Sequence, residues 1–336
     1  MTVFATATGI GSWPGTSPAE AAEVVIGELH QMPHLVELPA RGVGADLIGR
    51  AGALLVDLPL DTVPRGYRIA SGRSSAMRRA ASLLDEDLDA LEEAWEKAGL
   101  RGGERVVKVQ GPGPVTLAAQ LELANGHRAI TDRGAFRDVA MSLAEGMAAH
   151  RAEVSRRLQT RVVVQLDEPS LPAAVAGDLS GVTSLSPVAA VEESSVTALL
   201  DDCAAIIGPD IALHCCASGL PWNALRDCVV DAIAVDMHTL RTADLDGIGE
   251  FVETGRTVLL GAVASTEPAG RRSVEEVAAA VATITDRLGF PRSVLAERIG
   301  ITPACGLAAA TPRWARTAVE LARKTAEALR ADPDAI

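Results

Sequence analysis

Aromatic side chains are nearly absent: four Trp, four Phe and one Tyr make up 3% of 336 residues. A core without large rings must be filled by Val, Leu, Ile and Ala, which suits parallel strands buried on both faces under alanine-rich helices. Basic charge is also short, with 31 Lys and Arg against 44 Asp and Glu and a net charge of -13. Phosphate groups demand a basic surface, so neither nucleic acid nor an anionic membrane is expected as a partner. No run of about 18 apolar residues occurs, so no segment is predicted to span a bilayer. The opening MTVFATATGIGSWPGT lacks a basic stretch and reads as a first strand rather than a signal peptide. A soluble, cytoplasmic protein is expected. The cysteines are few and odd in number (Cys203, Cys215, Cys216, Cys228 and Cys305), which points to reduced thiols, some of them metal ligands, rather than a disulfide framework.

What is present is a repeating pattern. Short β-branched runs at Val3–Ile10, His34–Leu38, Arg105–Gln110, Arg161–Leu166, Asp210–Cys215, Ala232–Asp236, Thr257–Val263 and Arg298–Thr302 alternate with longer amphipathic stretches. Eight strand–helix repeats predict an α/β fold, a (β/α)8 TIM barrel. Each run ends in a polar or glycine-rich cluster: GSWPGT, ELPARG, GPGP, DEPS, HCCASG, DMHT, ASTEP and PACG. A doubly wound open sheet would not need all eight ends furnished in this way, whereas a barrel builds its active site there. Residues 1–330 are expected to form one catalytic domain. Residues 39–104 form an insertion over the barrel mouth between strands two and three, and 331–336 a frayed tail.

Leu213-His214-Cys215-Cys216, at the end of the fifth strand, is the sharpest local signal. Strand side chains alternate, so His214 and Cys216 share a face while Cys215 points away. Imidazole and thiolate together suit zinc better than oxygen-seeking cations. Cys305, just past the eighth strand, supplies a third ligand and Asp236, at the end of the sixth, a fourth. Such a set, drawn from separate strand ends with one displaceable oxygen ligand, has the form of a catalytic zinc site. His238 could stand behind Asp236 or replace it. Cys203 and Cys228 lie in helical stretches and read as packing residues.

These residues resemble the cobalamin-independent methionine synthases, specifically their C-terminal catalytic barrel, within the methionine synthase and uroporphyrinogen decarboxylase-like superfamily. The resemblance runs along essentially the whole chain through Ile10-Gly11-Ser12-Trp13-Pro14, Gly111-Pro112-Gly113-Pro114-Val115-Thr116, Gln165-Leu166-Asp167-Glu168-Pro169, His214-x-Cys216 and Pro303-Ala304-Cys305-Gly306-Leu307. It implies a zinc ion held by His214, Cys216, Asp236 and Cys305 that binds the thiol of homocysteine. It also implies a pocket for the amino-acid end, with Asp167 and Glu37 on the ammonium and Ile10 and Ser12 on the carboxylate. From the residues alone, Asp167-Glu168-Pro169 could also be a turn, although an acidic pair at a barrel mouth is costly without a partner; Glu37 could simply pair with Arg41, and Gly11–Thr16 could equally be a loop with Thr16 or Ser17 capping the next helix.

The chain departs from the family pattern in three places. Asp236 stands where the family has Glu. Gly261-Ala262-Val263-Ala264-Ser265 stands where folate-dependent members carry Asp-Ile-His, and Leu117-Ala118-Ala119-Gln120 replaces a tryptophan-bearing segment. The reading is therefore a zinc-dependent S-methyltransferase making methionine from homocysteine or a related small thiol. Its methyl donor is methyltetrahydrofolate or a methylcorrinoid, the latter on a corrinoid protein as partner. A uroporphyrinogen decarboxylase-like barrel and a non-catalytic zinc- or thiol-binding barrel are the alternatives.

Overall fold

Where an apolar run can be covered on both sides it becomes a strand; where Ala, Leu and Glu recur every three to four residues it becomes a helix. The computed structural model describes residues 2–182, 187–270 and 272–336. The first helix, α1 (Pro18–Glu28), begins with Pro at its first position and is capped by the Ser17 side chain, which accepts from Glu20 N. α2 (Leu47–Leu54) is capped by Asp46 through Gly49 N. A hairpin of β1 (Leu60–Val63) and β2 (Gly66–Ile69) precedes the long α3 (Ser75–Lys97). β3 (Val106–Pro112) opens the main sheet. It is followed by α4 (Pro114–Gln120), the two-residue β4 (Leu121–Glu122), α5 (Arg133–Leu158) and β5 (Arg161–Asp167). Then come α6 (Leu171–Ala176), α7 (Glu193–Ile207), β6 (Ile211–Cys215), α8 (Trp222–Asp227) and β7 (Ala232–Asp236). The chain closes with α9 (Thr242–Glu253), β8 (Thr257–Val263), α10 (Val274–Arg287), α11 (Ser293–Glu297), β9 (Ile299–Pro303) and α12 (Pro312–Ala331).

The result is an α/β fold around a curled parallel sheet of six strands in the order β3-β5-β6-β7-β8-β9. Its two faces bury different residues. On β5, Val162 and Val164 belong to the large apolar cluster shared with the helices, whereas Val163 belongs to a small separate cluster with Phe4, Met32, Ala212, Ala234 and Leu259. Period-two alternation extends that inner face toward the C-terminal strand ends: Lys108 and Gln110 on β3, Gln165 and Asp167 on β5, His214 on β6 and Asp236 on β7. Parallel register sets Gln110 opposite Gln165 and Asp167 opposite His214. One sheet thus delivers its inward polar groups to one end.

The first two expected strands, Val3–Ile10 and His34–Leu38, do not form. Their segments meet the sheet through single parallel bridges: Ala7 with Ile301 of β9, His34 with Lys108 of β3, and Ser12 with Glu37 between them. The reason is local. Thr6 N turns back to Phe4 O, Pro33 has no N–H to give, the backbone of residues 4–6 crowds Gly300, and the His34 ring packs onto Gly9. A Cβ on Gly300 would lie 2.5 Å from Phe4 O, and one on Gly9 would lie 2.2 Å from the His34 ring. Residues 331–336, expected to fray, form a 3-10 turn at Pro333–Ala335 in which the Asp332 side chain accepts from Ala335 N, and Ile336 rests against the core. Among the described residues no helix is long and apolar enough to cross a membrane.

Candidate metal centre

His214 is the last inward residue of β6, and Cys216 follows it just past the strand. Cys215 between them is fully buried in the outer cluster, as alternation requires. Cys305 arrives from the end of β9 on a loop that folds back over β8, with Ala304 N donating to Val263 O. Gly261 makes that approach possible, since a Cβ there would lie 2.7 Å from Ala304 Cα. The ligand atoms of His214, Cys216 and Cys305 all lie within 4.8 Å of one another, and the two sulfurs are 2.8 Å apart.

The imidazole is oriented from behind. Its Nδ1 lies 2.8 Å from Asp167 Oδ1, which also accepts from Gln165 Nε2 at 2.7 Å. With Nδ1–H committed to the carboxylate, Nε2 is left buried and without a hydrogen-bond partner. A buried unpaired ring nitrogen costs about 1–3 kcal/mol unless something fills it. A carboxylate behind a histidine is the arrangement that fixes a metal-ligating tautomer. Burial would lower the His214 pKa, but the bond to Asp167 and the adjacent Cys305 sulfur outweigh it and raise the pKa to about 9, so a metal binding at Nε2 displaces a proton that points toward Cys305. Cys305 is held well below the ordinary thiol range, chiefly by the hydrogen bond from Cys216 and then by His214; the same bond, with burial, pushes Cys216 up. The pair therefore keeps a thiolate at Cys305 near neutral pH.

Asp236, on the same inward face, contributes none of the ligand atoms that lie within 4.8 Å of one another. It is half-buried at the end of β7, and its Oδ1 accepts from His238 N at 2.8 Å, which ties the carboxylate to the turn that follows. Burial raises its pKa, the His238 amide opposes the rise, and the fields of Cys305 and His214 reach it. His238 itself is exposed.

The residues expected at the amino-acid end do come together. Trp13 N donates to Glu37 O and Glu37 N to Gly11 O, so the Ile10–Ser12 turn and Glu37 are held side by side. Leu307 N donates to Ser12 O, joining the same turn to the Cys305 loop. Ser17 caps α1, which leaves Ser12 free of that task. The guanidinium beside Glu37 is that of Arg50 on α2, with Nε 3.8 Å from Oε1; Arg41 is instead engaged with Asp87, which also binds Arg50. Glu168 plays a different part from its neighbour Asp167. Its carboxylate accepts from Val115 N and Thr116 N and so caps α4.

Three inward side chains were not singled out in the sequence: Lys108, Gln110 and Gln165. Their signal was there, as polar residues at alternate positions of otherwise apolar runs (Val106-Val107-Lys108-Val109-Gln110 and Val162-Val163-Val164-Gln165). A cavity of about 590 Å³ lined by Arg128, Arg133, Phe136, Val188 and Glu192 lies apart from the cluster and contains none of these side chains.

Burial pushes Glu37 up to about 7, with Arg50 opposing and Asp167 adding to the rise. An ammonium pairs with the ionised carboxylate, so if Glu37 receives the amine of an amino-acid thiol such as homocysteine, its affinity should rise as pH rises through about 7 and fall by up to about tenfold per unit below it. Calorimetric titration across that window checks this. Glu37→Gln should flatten the profile, and 4-mercaptobutanoate, which lacks the amine, should not show it.

Solved structures that share the fold include the following three. A B12-independent methionine synthase from Shewanella sp. W3-18-1, in complex with selenomethionine, is 13% identical over 99% of this chain and 100% of that one, with a TM-score of 0.62. A methyltransferase from Methanosarcina mazei is 16% identical over 97% and 91%, with a TM-score of 0.58. A putative vitamin-B12 independent methionine synthase from Listeria monocytogenes is 16% identical over 96% of each chain, also at 0.58. No curated protein matches the sequence. The description of the cobalamin-independent synthase catalytic domain matches residues 4–328, nearly the full length. The chain belongs to the cobalamin-independent synthase family, as its catalytic domain.

Proposed function

We propose that the protein is a zinc-dependent S-methyltransferase that converts homocysteine, or a related small thiol, to its methyl thioether, methionine in the case of homocysteine. The observation that carries this reading is the unpartnered Nε2 of His214, held by Asp167 and facing two cysteine sulfurs at the C-terminal ends of the strands. Two thiols and an imidazole form the donor set zinc prefers, and His214, Cys216 and Cys305 would hold it, with Asp236 as the fourth ligand. Zinc bound there would supply the positive charge that keeps a substrate thiol deprotonated at neutral pH.

The protein's own residues do the rest. Asp167 keeps the His214 tautomer fixed and, with Glu37, faces the ammonium of the amino acid. Ile10 and Ser12 receive its carboxylate, and the turn they occupy is tied to the Cys305 loop, so head group and sulfur are positioned together. The substrate sulfur attacks the methyl carbon; the S–C bond forms as the donor's bond to that carbon breaks and the donor keeps the electron pair.

Family membership favours methyltetrahydrofolate as donor, whose nitrogen must be protonated as it leaves. The stretch Gly261–Ser265 carries no acid for that proton, which favours a methylcorrinoid, since Co(I) leaves without one. The surrounding fold in this reading is a (β/α)8 barrel spanning residues 1–330. Support comes from the bridges that link both sheet edges to residues 7 and 34 and from one apolar cluster running from Ala7 to Leu329. Within residues 39–104, α3 packs against α1 and α5 as a helix of the outer layer, and β2 pairs with β4 just past the end of β3, which fits added structure over the mouth. Assay of the purified, zinc-loaded protein with homocysteine and each methyl donor tests the proposal. Methionine formed with either donor supports it and identifies the donor; none with both sinks it.

A further inference from the structure

Lys108 is one of three lysines in the chain and is fully buried at the inward face of β3, one layer beneath the site. Its Nζ donates to the Ile10 carbonyl at 2.9 Å, to Gln165 Oε1 at 2.8 Å and to Gln110 Oε1 at 3.4 Å. An ammonium group has donors only, so both glutamines must turn their oxygens toward it and their NH2 groups away. Gln165 then gives its two hydrogens to Ile10 O at 2.8 Å and Asp167 Oδ1 at 2.7 Å. Gln110 gives its two to Leu35 O at 2.6 Å and Glu37 Oε1 at 3.1 Å. Each remaining partner is a carbonyl or a carboxylate, an acceptor only, so this orientation is the one that satisfies every group. The Ile10 turn, Glu37 and Asp167 all hang from one nitrogen.

We propose that Lys108 is the positioning residue that sets the site's preference for an amino-acid thiol, by fixing the amide orientations of Gln110 and Gln165 and through them the two carboxylates. The proposal rests on the assignment of Glu37 and Asp167 to the substrate ammonium under Proposed function. Burial lowers the Lys108 pKa to about 8, opposed by Asp167 and Glu37, so the group is still charged at neutral pH. Without that charge each amide can rotate, presenting its oxygen to a carboxylate and repelling it. The preference for the amine is then lost while the sulfur end is untouched.

The test compares wild type and Lys108→Met, both zinc-loaded, in calorimetric titrations with homocysteine and with 4-mercaptobutanoate. It is joined to side-chain amide spectra of protein 15N-labelled at its five glutamines, with Gln110 and Gln165 assigned by single substitution. The expected result is about tenfold or more weaker homocysteine binding, in line with loss of hydrogen bonds to charged groups. Binding of 4-mercaptobutanoate, which keeps the carboxylate received by the Ile10 turn, should weaken by at least severalfold less than that of homocysteine, and the Gln110 and Gln165 amide pairs should shift while those of Gln31, Gln120 and Gln159 stay in place. Equal weakening of both thiols, or unmoved Gln110 and Gln165 signals, overturns the proposal. Should Lys108→Met fail to fold, Lys108→Gln, which keeps hydrogen bonding but adds an acceptor, is held to the same outcomes. Equal binding of the two thiols by wild type would defeat the amine-pocket assignment itself, and the amide spectra separate that failure from this one because they need no ligand.

Discussion

Cys305→Ala is expected to take bound zinc from about one per chain to less than about a tenth, and to lower homocysteine methylation roughly a thousandfold or more. The loss follows from how the site is assembled. Cys305 is the one member of the cluster that arrives from β9, and without it one thiolate is left beside His214 and the oxygen of Asp236, a set too weak to hold zinc tightly against water. The fold should survive, because Cys305 is partly exposed and its loop is anchored by backbone bonds from Ala304 to Val263 and from Leu307 to Ser12. Cys203→Ala is the control. That thiol lies on the buried face of α7, against Ala140 of α5, and burial pushes its pKa up to about 12, so its loss should cost some stability and no zinc. Metal analysis of both variants beside a circular dichroism melt separates the two effects.

Asp167→Asn is expected to lower kcat/KM for homocysteine by about a hundredfold or more, through two separable losses. The first is at the histidine. One carboxylate oxygen now accepts from both His214 Nδ1 and Gln165 Nε2, and an amide can replace it only weakly and without charge. Removing a partner of this kind typically costs 10–100-fold in metal affinity. The second is at the ammonium, where one of two facing carboxylates is gone. Chelator competition reads the first loss alone. Comparing homocysteine with 4-mercaptobutanoate on protein kept saturated with zinc reads the second, and the amine-free thiol should be nearly indifferent to the substitution. If both thiols lose activity equally once zinc is saturating, Asp167 acts only through His214.

How far such a site is legible in a sequence depends on whether it is written in local spacing. His214, Cys215 and Cys216 are, because strand alternation alone separates two inward groups from one outward group, and the structure places all three accordingly. Cys305 was legible from its position just past a strand. Asp236 shared that signal, and what spacing does not reveal is that its carboxylate also accepts from the backbone amide of His238 in the turn that follows. The opening strands failed for a related reason: Gly300 permits close backbone approach by Phe4 and Thr6, and Gly9 makes room for the His34 ring, where a ladder was expected. Lys108, Gln110 and Gln165 are polar residues in apolar runs, and only their pairing across β3 and β5 shows that they satisfy one another. Arg50 was least legible, since it reaches Glu37 from the segment between residues 39 and 104, whose packing no motif specifies.

The central claim is that His214, Cys216 and Cys305 form a metal centre that takes up a thiol. Zinc analysis joined to X-ray absorption, with and without homocysteine, tests it most directly. The account predicts about one zinc per chain bound by two sulfurs, one imidazole and one oxygen, and a third sulfur in the shell when homocysteine is added. Protein purified without chelators that carries no stoichiometric zinc and cannot be loaded with it, or a sulfur shell unchanged by homocysteine, would contradict it.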